Sequence, residues 1–245
     1  MDYIVFDLEF NQDFSTGNGR RIRRSCFEII QIGAVKLDKN LKTIDTFQRY
    51  VKPTIYPVIN PFITELTGIT TDQLISEETF PTVFKAFAEF AKGSDTIFCV
   101  WGMADLKELY RNVEYHDLDK NLLSKWYINL QPYASLHFKL SQKKMMKLKT
   151  TAELLSIPLV YSFHNALYDA HYTAEIFKKI NNESIHIKLY DPSFVAVRPR
   201  PPKQKIDFEK LICQFKKMYD RELTEEEQEM ISLAYKMGKT GQFLT

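Results

Sequence analysis

Asp7 and Glu9 stand two residues apart in the run Tyr3-Ile-Val-Phe-Asp-Leu-Glu-Phe10. Alternate side chains of a strand point to the same face, so the two carboxylates project together from the end of an apolar segment. Two adjacent buried negative charges are costly unless a cation compensates them. Taken alone, the pair fits equally well an edge strand with one wet face. Asp105 follows a second apolar run, Ile97-Phe-Cys-Val-Trp101, and a glycine turn. Alone it reads as a first-turn acid that complements a helix dipole. His164 and Asp169 form a third group, His164-Asn-Ala-Leu-Tyr-Asp169, in which Asn165 can cap a helix. A histidine beside a carboxylate near a helix end is common for structural reasons.

Together these groups make a stronger pattern. Four acids at strand ends and helix starts, in the order DxE, D, HxxxxD, form a donor set for two divalent ions with hard oxygen ligands. Such ions activate water and stabilise a phosphate undergoing substitution. A histidine, with an ordinary pKa near ~6.5, is suited to take the proton of the attacking water.

The elements that must position these residues are legible in outline. Residues 3–10, 28–37 and 43–51 read as strands with short links, an antiparallel meander. Residues 95–100 and 126–130 read as two more strands. Helices are expected near 61–66, across 80–92 with Thr79 as cap, at 104–112, and over 133–146, 149–156 and 165–180. Strands alternating with helices after residue 78 indicate an α/β layer fold. The composition shifts near residue 190, where Asp191-Pro-Ser-Phe-Val-Ala-Val-Arg-Pro-Arg-Pro-Pro-Lys203 reads as an extended linker. Beyond it, 207–219 and 225–237 look like amphipathic helices, and Thr224 with Glu227 fits a capping box. The expected division is a core domain over 1–185 and a linker with helical extension over 186–245.

The 245 residues carry 44% hydrophobic and 13% aromatic side chains, ample for a packed core. A net charge of +2 neither demands nor excludes nucleic acid, so the distribution of charge must decide. Cys26, Cys99 and Cys213 are odd in number, widely spaced and without a zinc-type pattern, which suggests reduced thiols in a cytoplasmic protein. The N-terminus lacks the basic start of a signal peptide, and no apolar run approaches the ~20 residues needed to cross a bilayer.

Phe6-Asp7-Leu8-Glu9, Trp101-Gly-Met-Ala-Asp105 and His164-x-x-x-x-Asp169 resemble, in order and spacing, the three motifs of the DEDDh family of 3′-to-5′ exonucleases. Glu28-Ile-Ile-Gln-Ile-Gly-Ala-Val35 is similar to that family's second strand. Pro61-Phe-Ile-Thr-Glu-Leu-Thr-Gly-Ile-Thr70 resembles a segment of the branch containing eukaryotic histone-mRNA and small-RNA exonucleases and bacterial sporulation inhibitors. The resemblance spans about residues 1–180. It implies a ribonuclease-H-like fold, an α/β five-stranded mixed sheet flanked by helices, with two divalent ions (Mg²⁺ or Mn²⁺) and release of nucleoside 5′-monophosphates. It also implies Asp7, Glu9 and Asp169 as direct ligands, Asp105 holding the second ion directly or through water, and His164 as general base. The loop over 11–26 is longer than in compact family members, and the extension after 185 has no counterpart in the minimal pattern.

Candidate substrate contacts follow. Phe10 and Asn11 directly succeed the acidic pair. Leu66 and its neighbour Glu65 could meet the terminal nucleotide, although Leu66 also reads as helix-end packing with Gly68 as the C′ residue. Trp101 precedes the Asp105 turn. Three basic clusters could touch phosphates: Arg20, Arg21, Arg23 and Arg24; Lys139, Lys143, Lys144, Lys147 and Lys149; and Arg198, Arg200, Lys203 and Lys205. Arg23 represents the first, whose loop leaves the strand carrying Asp7. Each cluster also fits a merely solvated face. The C-terminal helices are expected to pack on each other and on the core.

These features point to a metal-dependent exonuclease of single-stranded 3′ ends, with RNA favoured over DNA on the Thr64–Thr70 segment. The other-class alternative is a nucleic-acid-binding regulator whose catalysis is dispensable, and an endonuclease of the same broad fold is a further one.

Overall fold

A computed structural model describes residues 1–12, 27–93, 95–141, 144–192 and 207–239. The arginine loop, most of the proline-rich linker with its basic cluster, and Lys143 lie outside the described residues. The chain divides into two compact units, Met1–Phe194 and Val195–Thr245.

The first unit is a mixed sheet with helices on both faces. Strands β1 (Asp2–Asn11), β2 (Glu28–Leu37) and β3 (Thr43–Tyr50) form the expected antiparallel meander. Strands β4 (Thr96–Val100) and β5 (Trp126–Asn129) add in parallel beyond β1. A sixth strand, β6 (Lys188–Leu189), pairs antiparallel with β5, giving the order β3-β2-β1-β4-β5-β6. The five expected strands are therefore present, and the sheet continues past residue 185. Two residues have no period to read, so β6 is visible only through its pairing.

The near-continuous apolar runs of β1 and β2 reflect burial on both sides. Ile4, Phe6 and Leu8 join one core cluster with Phe84 and Phe87 of α3 (Phe80–Phe90) and Leu106 and Leu109 of α4 (Ala104–Tyr115). Val5 joins the opposite cluster with Ala170, Tyr172, Ile176 and Phe177 of α7 (Ala166–Ile180). The Tyr3 ring meets Phe177 edge-on at 5.2 Å on that side. Asp7 and Glu9 continue the same alternation, so both face α7.

Between β3 and α3 run α1 (Pro61–Thr67) and the single turn α2 (Thr71–Leu74). Gly68 ends α1 in the left-handed conformation, as its position predicts. The strap leading to α1 is held by two buried side chains. The Glu28 carboxylate accepts the N–H groups of Thr54, Ile55 and Tyr56, the latter two at 2.7 Å. Asn11 donates to the carbonyls of Tyr56 and Val58 and accepts from the N–H of Asn60.

The helix expected over 133–146 is shorter: α5 spans Leu130–His137. Asn129 caps it, and the chain leaves it through Lys139, which adopts a positive φ. With Lys139 left-handed, its N–H bonds to the Leu136 carbonyl and the Leu140 N–H to the Ser135 carbonyl, both at 2.8 Å, a Schellman stop that ends the helix there. The buried Ser135 hydroxyl then donates to the Lys144 carbonyl at 2.6 Å, which holds Lys144 against α5. α6 (Leu148–Leu154) follows.

In the second unit, Asp207 caps α8 (Phe208–Tyr219), and α9 (Glu225–Lys239) begins in the expected capping box. Thr224 N–H donates to Glu227, and Glu227 N–H donates to Thr224 Oγ1 at 3.3 Å. Phe208 meets Tyr235 edge-on at 5.7 Å.

Candidate active site

The site forms where the carboxyl ends of β1 and β4 meet the first turns of α4 and α7. On β2 the residues opposite Asp7 and Glu9 are Gly33 and Gln31. Directly paired side chains share a face, so these two positions determine what can approach the carboxylates. Gly33 leaves its space to the α7 backbone: a Cβ there would lie 2.0 Å from Leu167 N and 2.1 Å from Ala166 C. Gln31, fully buried, accepts the Ala166 N–H at 3.0 Å, and its own amide nitrogen has no partner among the described residues. Gly33 and Gln31, set in the apolar run 29–35 of β2, therefore seat the helix that carries Asp169. The glycine is a legible signal of close backbone approach; what approaches it is not.

The first turn of α7 is organised as its sequence predicts. Asn165 accepts the N–H groups of Leu167 and Tyr168, which places Asp169 one turn in. Its Oδ2 accepts the backbone N–H of His164 at 3.1 Å, and its Oδ1 is buried with no partner among the described residues. His164 takes φ 65°, a left-handed conformation unusual outside glycine, and its ring is exposed. The loop before it is tied down by Tyr172, whose fully buried hydroxyl accepts the Tyr161 N–H at 2.7 Å and donates to the Tyr161 carbonyl at 2.8 Å. This brings one ligand atom each of Glu9, His164 and Asp169 within 4.8 Å of one another. Asp105 enters on α4, buried at that helix's first turn.

Among the described residues, none of the four carboxylates has an ion-pair partner. Burial and mutual repulsion drive their pKa values upward. Glu9 is pushed to about 8 by burial, then by Asp169 and Asp105. Asp105 is raised to about 7, mainly by burial and then by Asp169 and Glu108 against opposing backbone hydrogen bonds. Asp169 is raised to about 6 by burial, offset by the His164 N–H. Asp7 is raised well above its ordinary value by burial, with Asp105, Asp169 and Glu9 adding repulsion. Four oxygen donors whose charge is uncompensated, one with an unpartnered buried oxygen, fit hard divalent cations.

The predicted substrate contacts fare unevenly. On α1, Glu65 is exposed, and Leu66 and Phe62 are 40% and 58% exposed. Phe62 was not singled out by the sequence. Trp101 is half-buried against the α7-side cluster, with its indole N–H buried and unpartnered among the described residues. Phe10 is half-buried on the opposite side of the sheet, its ring 5.9 Å from Phe27. Asn11 departs from expectation: it is fully buried, and its amide is committed to the strap before α1, a structural role. Lys139, Lys144, Lys147 and Lys149 are exposed, and Arg23 lies outside the described residues.

A ribonuclease-H-like sheet with Asp7 and Glu9 near the end of β1, and Asp105 and Asp169 in the first turns of α4 and α7, defines a nuclease domain of the DEDDh class. Residues 4–177 match the RNase_T family, described as exonuclease, and the chain belongs to that family. It is 35% identical over 189 residues to the PolC-type DNA polymerase III of Caldanaerobacter subterraneus subsp. tengcongensis, covering 73% of this chain and 11% of the polymerase. It is 27% identical over 198 residues to 3′-5′ exoribonuclease 1 of Rattus norvegicus, covering 77% of this chain and 55% of that protein. The chain thus spans a small part of the first relative and about half of the second. The solved nuclease domain of 3′hExo, a DEDDh family member bound to rAMP, superposes with a TM-score of 0.66 at 26% identity, covering 78% of this chain and 97% of that one. Exonuclease I of E. coli, solved with a dA16 oligonucleotide, shares the fold at 15% identity and a TM-score of 0.56.

Proposed function

We propose that this chain hydrolyses single-stranded nucleic acid from its 3′ end, releasing nucleoside 5′-monophosphates. The observation that carries the reading is the convergence of Glu9, His164 and Asp169 within 4.8 Å beside Asp7. Asp7, Glu9 and Asp169 would hold the divalent ions, and Asp105 would complete the second position. When bound, two Mg²⁺ or Mn²⁺ ions supply an acidified water and neutralise charge developing on the phosphate. His164 takes the proton as the water oxygen bonds to phosphorus. The bond from phosphorus to the 3′ oxygen of the preceding nucleotide breaks, leaving a new 3′ hydroxyl on the shortened strand. The exposed His164 ring and its constrained backbone suit a base that must face an incoming strand end. Exposed Leu66 and Phe62 on α1 offer apolar surface to the terminal base.

RNA is the substrate we favour, supported by the Thr64–Thr70 segment and by the likeness to exoribonuclease 1. The likeness to the PolC-type polymerase makes DNA the competing arm. The decisive experiment offers 5′-labelled RNA and DNA strands with Mg²⁺ or Mn²⁺, with a circular single strand alongside. Stepwise shortening from the 3′ end, faster on RNA and absent on the circle, is the expected result. No stepwise shortening of either linear strand would sink the proposal, and cleavage of the circle would make the enzyme an endonuclease.

A further inference from the structure

A cleft of about 600 Å³ opens between α3, residues 121–125, the start of β5 and β6. It lies towards the opposite end of the sheet from the carboxylates. Thr96, which lines it, pairs with Asp2 in the β1–β4 register. Asp7 is five residues further along β1, roughly 17 Å at the rise of a strand. A ligand in this cleft therefore cannot be the nucleotide being cleaved.

Its chemistry is mixed in a specific way. Trp126 is 52% exposed, and its neighbours Leu122 and Leu189 are exposed too, an apolar surface left open to solvent. Lys85, Lys92 and Lys125 surround it, and Glu89 is the sole acid among the described lining residues. Glu89 pairs with Lys92 at 3.2 Å; Lys85 and Lys125 have no carboxylate at ion-pair distance among the described residues. The Thr96 hydroxyl is buried with no hydrogen-bond partner among the described residues, and a Cβ on Gly93 would stand 2.7 Å from it. A flat exposed indole beside uncompensated ammonium groups is the combination that stacks a base and pairs a phosphate.

We propose that this cleft is a second binding site for the same single strand, holding its body while the 3′ end occupies the carboxylate site. The inference rests on the function proposed above. A strand must be several nucleotides long to reach both places, so the cleft acts on long substrates only.

The test compares a trinucleotide with a long single strand. Trp126→Ala should raise KM for the long strand about fivefold or more, the loss of one base stack. Its kcat, and both constants for the trinucleotide, should be unchanged. Trp126→Phe should restore most of the affinity, because a smaller ring still stacks. Lys85→Ala with Lys125→Ala should make long-strand binding less salt-dependent, the logarithmic slope falling by about one to two. All of these side chains are exposed, and an unchanged melting temperature confirms folding. Unaltered long-strand KM in both the tryptophan and the lysine variants overturns the proposal. A lysine effect without a tryptophan effect overturns it as well, because it describes a general cationic surface. Equilibrium binding of the long strand in EDTA reads the cleft independently of hydrolysis. Trp126-dependent binding in EDTA, with no nucleotide release once Mg²⁺ or Mn²⁺ is supplied in excess, would sustain the cleft and refute the catalytic reading; metal-supported release with binding that does not depend on Trp126 would do the reverse.

Discussion

Gly33 stands across the β1–β2 ladder from Asp7, and the backbone of Ala166 and Leu167 occupies the space its side chain would fill. The relationship links a strand near the N-terminus to the helix that carries Asp169. It explains how acids from opposite ends of the domain come to share one site.

Gly33→Ala therefore forces α7 away from the sheet. The added carbon would meet backbone rather than a flexible side chain, so the strain cannot be relieved by a rotamer change. Overpacking of this kind costs about 1–3 kcal/mol in stability. Misplacement of Asp169 by about 1 Å should lower nuclease activity on the order of 100-fold. Thermal unfolding and single-turnover rates measure the two effects; a variant with the original activity would show that α7 can shift without consequence.

Tyr172→Phe keeps the buried ring and removes the hydroxyl that holds both polar groups of Tyr161. Leaving these backbone groups unpaired should cost about 1–3 kcal/mol. Because the Tyr161 loop leads to His164, kcat should fall while KM for a trinucleotide stays close to its original value. Matched losses in a Tyr172→Phe, His164→Ala double variant and in His164→Ala alone would support action through the histidine. Independent, multiplicative losses would argue for a role in general stability.

His164→Ala should reduce the hydrolytic rate by about 10²–10⁴, the range for loss of a general base. The four carboxylates remain, so stabilisation of the fold by Mg²⁺ should persist largely intact. Melting temperatures with and without Mg²⁺, set beside the rate, test the division of labour. Loss of all metal response would move His164 from the base to the ligand set.

The pH dependence of the metal-free protein follows from the raised carboxylates. Glu9, Asp105 and Asp169 have folded values of about 8, 7 and 6. Unfolded carboxylates titrate near ~4. Between those limits the folded state binds more protons than the unfolded chain, so stability falls as pH rises. The contribution is present below pH ~4 and is lost progressively as pH passes through about 6, 7 and 8. Divalent ions compete with those protons. In EDTA the protein should therefore be less stable at pH 8 than at pH 5 by about 1 kcal/mol or more, and Mg²⁺ should raise the melting temperature more at pH 8. Scanning calorimetry across this range decides the matter, and a flat EDTA profile would contradict it.

The candidate site residues are legible in the sequence because the placement of each rests on a local rule. Strand alternation sends Asp7 and Glu9 to one face, and the asparagine cap places His164 and Asp169 around one helix start. The Thr224–Glu227 capping box was legible for the same reason. The assembly of these pieces was not. The Gln31 contact with Ala166 joins residues 135 positions apart, and no periodicity within either segment announces it. Asn11 sits beside the acidic pair in the chain but is turned into the protein by Tyr56, Val58 and Asn60. Lys144 is likewise held against α5 by Ser135, and β6 exists only as the partner of β5. Local chemistry and period are written residue by residue, whereas packing is set by distant segments competing for the same space. The amino-acid order thus specified which groups could do the chemistry, and the tertiary contacts at Gly33, Gln31 and Tyr172 decided that they meet.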